Sequence, residues 1–187
     1  PILFLYENGI AKLMDVEYPN YWPFTDKQLC TYYPPNLSSD MSYSNKYKID
    51  MPKRIDNDLS FSNKVSALKD ALASGKPIFF GMDPFPRSLM QSFGKDFWRS
   101  KSNSEEITSM GHAMTIIAYD DNKYGGSFQI LNSYGKDWGN NGKIWVKYKD
   151  VIKYSPIFVI INRQYEESVF GSSSSFKIIN EEEKDKK

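Results

Sequence analysis

His112 is the sole histidine of this chain, and it opens an alternating apolar run, Gly111 to Tyr119. Asn132 closes a second such run and begins the segment Asn132-Ser133-Tyr134-Gly135-Lys136-Asp137-Trp138-Gly139. An imidazole can take a proton from a thiol and return it to a leaving group, and a carboxamide oxygen that accepts the ring N–H fixes tautomer and orientation for that work. The two residue types therefore suit acid-base assistance of a nucleophile, provided that the fold brings them together.

The flanking patterns predict how. From Gly111 onward, His112, Met114, Ile116 and Ala118 fall on one side and Ala113, Thr115, Ile117 and Tyr119 on the other, the period of a strand. Gly126 to Ser133 reads as a second strand. Asp120-Asp121-Asn122-Lys123-Tyr124-Gly125-Gly126 between them is turn chemistry, so an antiparallel hairpin is expected. A hairpin centred on Asn122 sets residue 112 opposite 132. A pivot at Lys123 makes them diagonal neighbours, still within reach.

Upstream, the first 60 residues read as largely irregular, marked by Tyr18-Pro19, Trp22-Pro23 and Pro34-Pro35, with a helix ending at Gly9 and a short strand at Lys46 to Met51. Ser62 or Asn63 can cap a helix that places Val65, Leu68, Ala71 and Leu72 on one face and stops at Gly75. Pro77 to Met82 is then a buried strand. Residues 83 to 110 hold Pro84, Pro86, Phe93, Phe97 and Trp98, followed by a polar stretch from Ser100 to Ser109 that reads as a surface loop bordering a cleft. Gly142 to Tyr148 and Pro156 to Asn162 complete a sheet-rich unit. Beyond Gln164 come Ser172 to Ser175 and the charged run Glu181 to Lys187, so residues 1–165 are assigned to a domain and 166–187 to a polar, disordered tail.

Taken together, Gly111-His112-Ala113, Tyr119-Asp120, Phe128-Gln129-Ile130-Leu131-Asn132-Ser133, Tyr134-Gly135, Trp138-Gly139 and Asn141-Gly142-Lys143-Ile144-Trp145-Val146 resemble the papain-like cysteine peptidases, especially their bacterial members. Weaker matches run upstream through Glu7-Asn8-Gly9-Ile10, Glu17-Tyr18-Pro19 and Cys30, so the resemblance spans about residues 1 to 162. It implies an α+β papain-like fold, here incomplete: an antiparallel β-rich C-terminal lobe plus part of the helical lobe. It also implies His112 as general base and acid, Asn132 as its orienting partner, and the Gly111 carbonyl as an acceptor for substrate backbone. The family's aromatic that shields the pair from water, usually Trp, is Tyr134 here, and Trp138 matches a second family tryptophan that could cover it. The implied activity is peptide-bond hydrolysis through a thioester acyl-enzyme, with a polypeptide substrate, a missing upstream segment or a propeptide as partners, and no cofactor. A secreted or periplasmic location goes with the resemblance, although the Pro1 to Tyr6 run is no signal peptide.

The nucleophile is not where that family would put it. Cys30, the single cysteine, lies 82 residues before His112, whereas the papain arrangement sets roughly 130 to 150 between them. Gln28-Leu29-Cys30-Thr31-Tyr32-Tyr33-Pro34-Pro35 also offers no following helix to stabilise a thiolate, because prolines stop one within a turn. By resemblance Cys30 is a structural half-cystine. No nucleophile is assigned within the chain; the expected thiol lies upstream, and the chain reads as the C-terminal two-thirds of a peptidase. Ser133 is not a substitute, since no G-x-S-x-G elbow surrounds it. The alternatives are an inactive papain-like peptide-binding module or gene fragment, and a different hydrolase that uses Cys30.

Composition narrows the field further. At 187 residues and 40% hydrophobic the chain can bury a core as one domain or two small lobes. Its net charge of +1 leaves no footprint for nucleic acid or a membrane surface. No apolar stretch approaches the roughly 20 residues that span a bilayer. One His and one Cys far apart match no zinc-site spacing, so no metal is expected.

Overall fold

The computed structural model describes residues 48–101 and 104–162. Cys30, the helix expected to end at Gly9 and the 166–187 tail lie outside the described residues. The described part is built on a seven-stranded sheet of order β1-β7-β2-β4-β5-β6-β3. Its strands are β1 (Lys53–Arg54), β2 (Ile78–Met82), β3 (Phe97–Trp98), β4 (His112–Asp120), β5 (Ser127–Leu131), β6 (Lys143–Lys147) and β7 (Ile157–Ile160). Every pairing is antiparallel except β3 against β6.

Helix α1 (Phe61–Ala73) begins two or three residues earlier than a cap at Ser62 or Asn63 would set it, because Ser60 is the residue that caps it, accepting the Asn63 N–H at 3.3 Å. The expected face is the one it buries. Leu68 and Ala71 are enclosed, with Val65 and Leu72 packed against the same core. Gly75, at φ 73°, turns the chain out of the helix in a conformation that costs other residues their Cβ clearance. It leads straight into β2, whose Ile78, Phe80 and Met82 are fully buried. Two short helices were not legible in the sequence: α2 (Arg87–Met90) and α3 (Tyr148–Tyr154). Both are too brief for periodicity to show. Of the strand expected at Lys46 to Met51, residues 46 and 47 lie outside the described residues and Ile49 forms an isolated bridge, while the edge strand among the described residues is Lys53–Arg54. Nor is the segment before His112 only a surface loop, since it contributes α2, β3 and the buried Phe85, Leu89 and Trp98.

The register of the β4–β5 hairpin decides the rest. Thr115 pairs with Leu131 and Ile116 with Ile130, but Ala118 pairs with Gln129, so Ile117 is an extra residue in β4. This bulge has two consequences. At the open end it realises the pivot at Lys123 and makes His112 and Asn132 diagonal neighbours. At the turn end it reverses the alternation: Tyr119, expected on the face opposite Ile116, instead pairs with Phe128 and packs against the core.

A polar cluster ties the turn to α1. Asp121 accepts from Lys69 Nζ at 2.6 Å and from Tyr148 Oη at 2.9 Å. These donors, Lys69 above all, hold the Asp121 carboxyl below the usual carboxylate range. A depressed folded-state value stabilises the fold above the unfolded carboxyl pKa of about 3.9 and loses that effect as pH falls through the lower folded value. Thermal melts should therefore show Asp121→Asn less stable than wild type at pH 6, with the gap closing toward pH 2. A gap that is constant across that range would show that the carboxylate contributes nothing.

Candidate active site

His112 opens β4 beside the end of β2, where it pairs with Met82. Its Nε2 lies 2.7 Å from Asn132 Oδ1. The same oxygen accepts the Ser133 backbone N–H at 2.7 Å. That second bond settles the chemistry of the first. Only the carbonyl end of the amide can accept a backbone N–H, so the atom facing the ring is an oxygen, and Nε2 must carry the hydrogen. The neutral ring then has its lone pair on Nδ1, directed away from Asn132. The Ser133 N–H, which is invisible to side-chain pattern reading, thus acts as the lock on the tautomer.

Two aromatic rings hold the imidazole. Phe85, almost fully buried, lies 4.8 Å from it between ring centroids, and Tyr134 lies 4.7 Å away at a similar tilt. Phe85 was not singled out in the sequence, where Pro84-Phe85-Pro86 carries no periodic signal; its role depends on the chain doubling back after β2. Tyr134 is 38% exposed while it packs on the imidazole. Trp138 is fully buried and meets Tyr134 edge-on at 6.3 Å. Its indole N–H donates to Leu89 O and Met90 O at 3.2 and 3.0 Å, clamping the loop after β5 to α2.

The loop itself is set by backbone bonds: Asn132 N–H to Gly142 O, Gly142 N–H to Trp138 O, and Gly139 N–H to Ser92 O. Gly139 is obligatory here. It sits at φ 60°, and a Cβ would collide with the Lys143 carbonyl. Asn132 is buried, and among the described residues its Nδ2 makes no hydrogen bond. Gly111 is exposed at the rim, packed so closely that a Cβ would stand 3.2 Å from both Asp83 Cβ and Met82 O. Among the described residues no cluster of three His, Cys, Asp or Glu could hold a metal. No helix among them is long and apolar enough to cross a membrane.

Comparison with known proteins supplies the lineage. The family model described as papain family cysteine protease matches residues 4–158. This chain belongs to that family. An uncharacterized peptidase C1-like protein of Acanthamoeba polyphaga mimivirus is 33% identical over 100 residues, which is 52% of this papain-family chain and 32% of the viral protein. Among solved structures, xylellain, a cysteine protease from Xylella fastidiosa, superposes with a TM-score of 0.64 at 21% identity, covering 88% of this chain and 60% of that one. The bromelain protease of Ananas comosus gives 0.53 at 17% identity, over 87% of this chain and 67% of its own. The chain therefore spans about a third of the viral relative and 60% of xylellain. These likenesses show the papain-like α+β fold.

Two measurements follow from the geometry. Because His112 is the only histidine, long-range ¹H–¹⁵N spectra at high pH should show a single neutral tautomer with the proton on Nε2, and Asn132→Ala should give a mixture of both. Trp138→Ala removes a buried ring and two hydrogen bonds, with an expected loss of about 3–5 kcal/mol in denaturant unfolding. A loss below 1 kcal/mol would mean that the loop is held by its backbone bonds alone.

Proposed function

We propose that this chain carries the acid-base half of a cysteine peptidase centre, with the nucleophilic thiol supplied from sequence N-terminal to residue 1 and Cys30 in a structural role. The supporting observation is the locked pair: Asn132 Oδ1, fixed by Ser133, holds His112 Nε2–H at 2.7 Å and leaves Nδ1 to work. The spacing of Cys30 from His112 argues against its being the nucleophile.

In this reading Nδ1 takes the thiol proton, and the resulting thiolate, paired with the imidazolium, attacks the scissile carbonyl. The tetrahedral adduct collapses as Nδ1–H protonates the leaving amine, which departs with the C-terminal part of the peptide and leaves an acyl thioester. Neutral imidazole then deprotonates a water, whose attack on the thioester releases the acid and returns the proton to sulfur. Nε2 keeps its hydrogen in both charge states of the ring, so Asn132 need not let go at any step. Tyr134 and Phe85 prevent the ring from rotating out of line. The Gly111 carbonyl accepts from substrate backbone, and Met110, 75% exposed beside it, offers apolar surface to a substrate side chain. The substrate class is polypeptide. A propeptide is a further proposed partner.

The deciding experiment uses the protein extended to its upstream sequence. It should hydrolyse a fluorogenic peptide, and His112→Ala should lower kcat/KM by about 10²–10⁴, while Cys30→Ala leaves it unchanged. Iodoacetamide should label an upstream cysteine faster than Cys30. Loss of hydrolysis in a folded Cys30→Ala variant would overturn the nucleophile assignment, and peptide binding with no hydrolysis would favour the non-catalytic binding module.

A further inference from the structure

One carboxylate at the rim of the His112 site is uncommitted. Met82 pairs with His112 at the end of the β2–β4 ladder, so the next step outward sets Asp83 across from Gly111. The approach is close: a Cβ on residue 111 would stand 3.2 Å from Asp83 Cβ and 3.4 Å from Asp83 Cγ. Gly111 has no positive φ that would account for its lack of a side chain. What it supplies is room for Asp83, since a larger residue would crowd that side chain, whereas glycine leaves both positions exposed at the rim. The backbone of Asp83 is pinned by its N–H, which bonds to Tyr154 O at 2.9 Å, and two residues on, Phe85 packs on His112. The other acids of this stretch have partners. Among the described residues between 83 and 111, Asp96 accepts from Tyr124 Oη, Glu105 from Ser88 Oγ and the Lys101 N–H, and Glu106 pairs with Arg87 at 2.7 Å. Asp83 makes no side-chain hydrogen bond or ion pair among the described residues.

We infer that Asp83 is a specificity-determining residue, whose carboxylate selects a Lys or Arg side chain in a polypeptide lying along the Gly111 carbonyl. The inference rests on the peptide-binding part of the proposed function and requires no turnover. A backbone bonded to that carbonyl runs beside the residue that Asp83 faces, so it carries its side chains past the carboxylate. Chemistry narrows the class of cation. Among the described residues no group of three His, Cys, Asp or Glu could hold a metal ion, whereas one carboxylate matches one ammonium or guanidinium. Lys and Arg carry those groups on an aliphatic stem, and Met110, 75% exposed and joined to Gly111, offers the stem apolar surface. Thr108 Oγ1 donates to the Met110 carbonyl at 2.6 Å and so fixes the backbone that presents it. An exposed carboxylate that served only to solvate the surface would discriminate between no two peptides of equal stem length.

The test uses the protein extended to its upstream sequence and internally quenched peptides with acylated N-termini, so that only a side chain can supply the charge. At each of the two positions on either side of the cleaved bond, Lys is compared with norleucine, which keeps the stem and loses the ammonium. At one of these positions wild type should prefer Lys by about three- to fivefold in kcat/KM, the worth of a partly solvated ion pair. Added salt should shrink that preference. Asp83→Asn should bring the ratio to within about 1.5-fold of unity, and Asp83→Lys should turn the preference to Glu over norleucine. Asp58→Asn removes an exposed carboxylate elsewhere and should leave the Lys preference intact. Dissociation constants of the same peptides with His112→Ala, measured by calorimetry, read the preference without hydrolysis. A Lys preference in binding, with no hydrolysis by wild type, would overturn the acid-base reading and support this one. Equal use of Lys and norleucine, a preference that survives Asp83→Asn, an equal loss in Asp58→Asn, or no binding of any peptide would each overturn the inference.

Discussion

Asn132 Oδ1 accepts two hydrogens at once, one from the next peptide unit and one from a ring that is 20 residues away in sequence. The arrangement of the candidate site depends on that shared acceptor. The backbone donor fixes which end of the amide faces His112, the amide then fixes which ring nitrogen is protonated, and the other nitrogen of the neutral ring is left with its lone pair. Such a sequence of constraints needs no charged partner.

The scaffold serves that acceptor through register. Without the bulge at Ile117 the hairpin would be one residue different at one end, and the faces presented by His112 and Tyr119 would not both be correct. The bulge lets the site end of β4 present His112 toward Asn132 while the turn end presents Tyr119 toward the core. On the other side the Trp138 indole, bonded to α2, makes the loop carrying Tyr134 part of the packed structure. A fully buried tryptophan stands at one end of the loop and a partly exposed tyrosine at the other.

Much of this was visible in the residues. The strand alternation from His112, the turn residues after Asp120 and the face of α1 are local signals, strong because each repeats several times. Their agreement with a papain-like arrangement made the fold class legible. Phe85 was not visible, because its packing on His112 joins positions 85 and 112, which are distant in sequence.

The amino-acid sequence by itself determined that a lone imidazole and a carboxamide stand at corresponding positions of two apolar strands, since side-chain alternation and turn chemistry are set by residues a few places apart. It also set the family, through the block from Gly111 to Val146. Tertiary structure alone decided which hairpin pivot holds, which ring nitrogen bears the proton and which rings press on the imidazole. Those outcomes turn on backbone hydrogen bonds and on contacts between distant segments, where differences of an ångström choose between alternatives that local patterns leave equal.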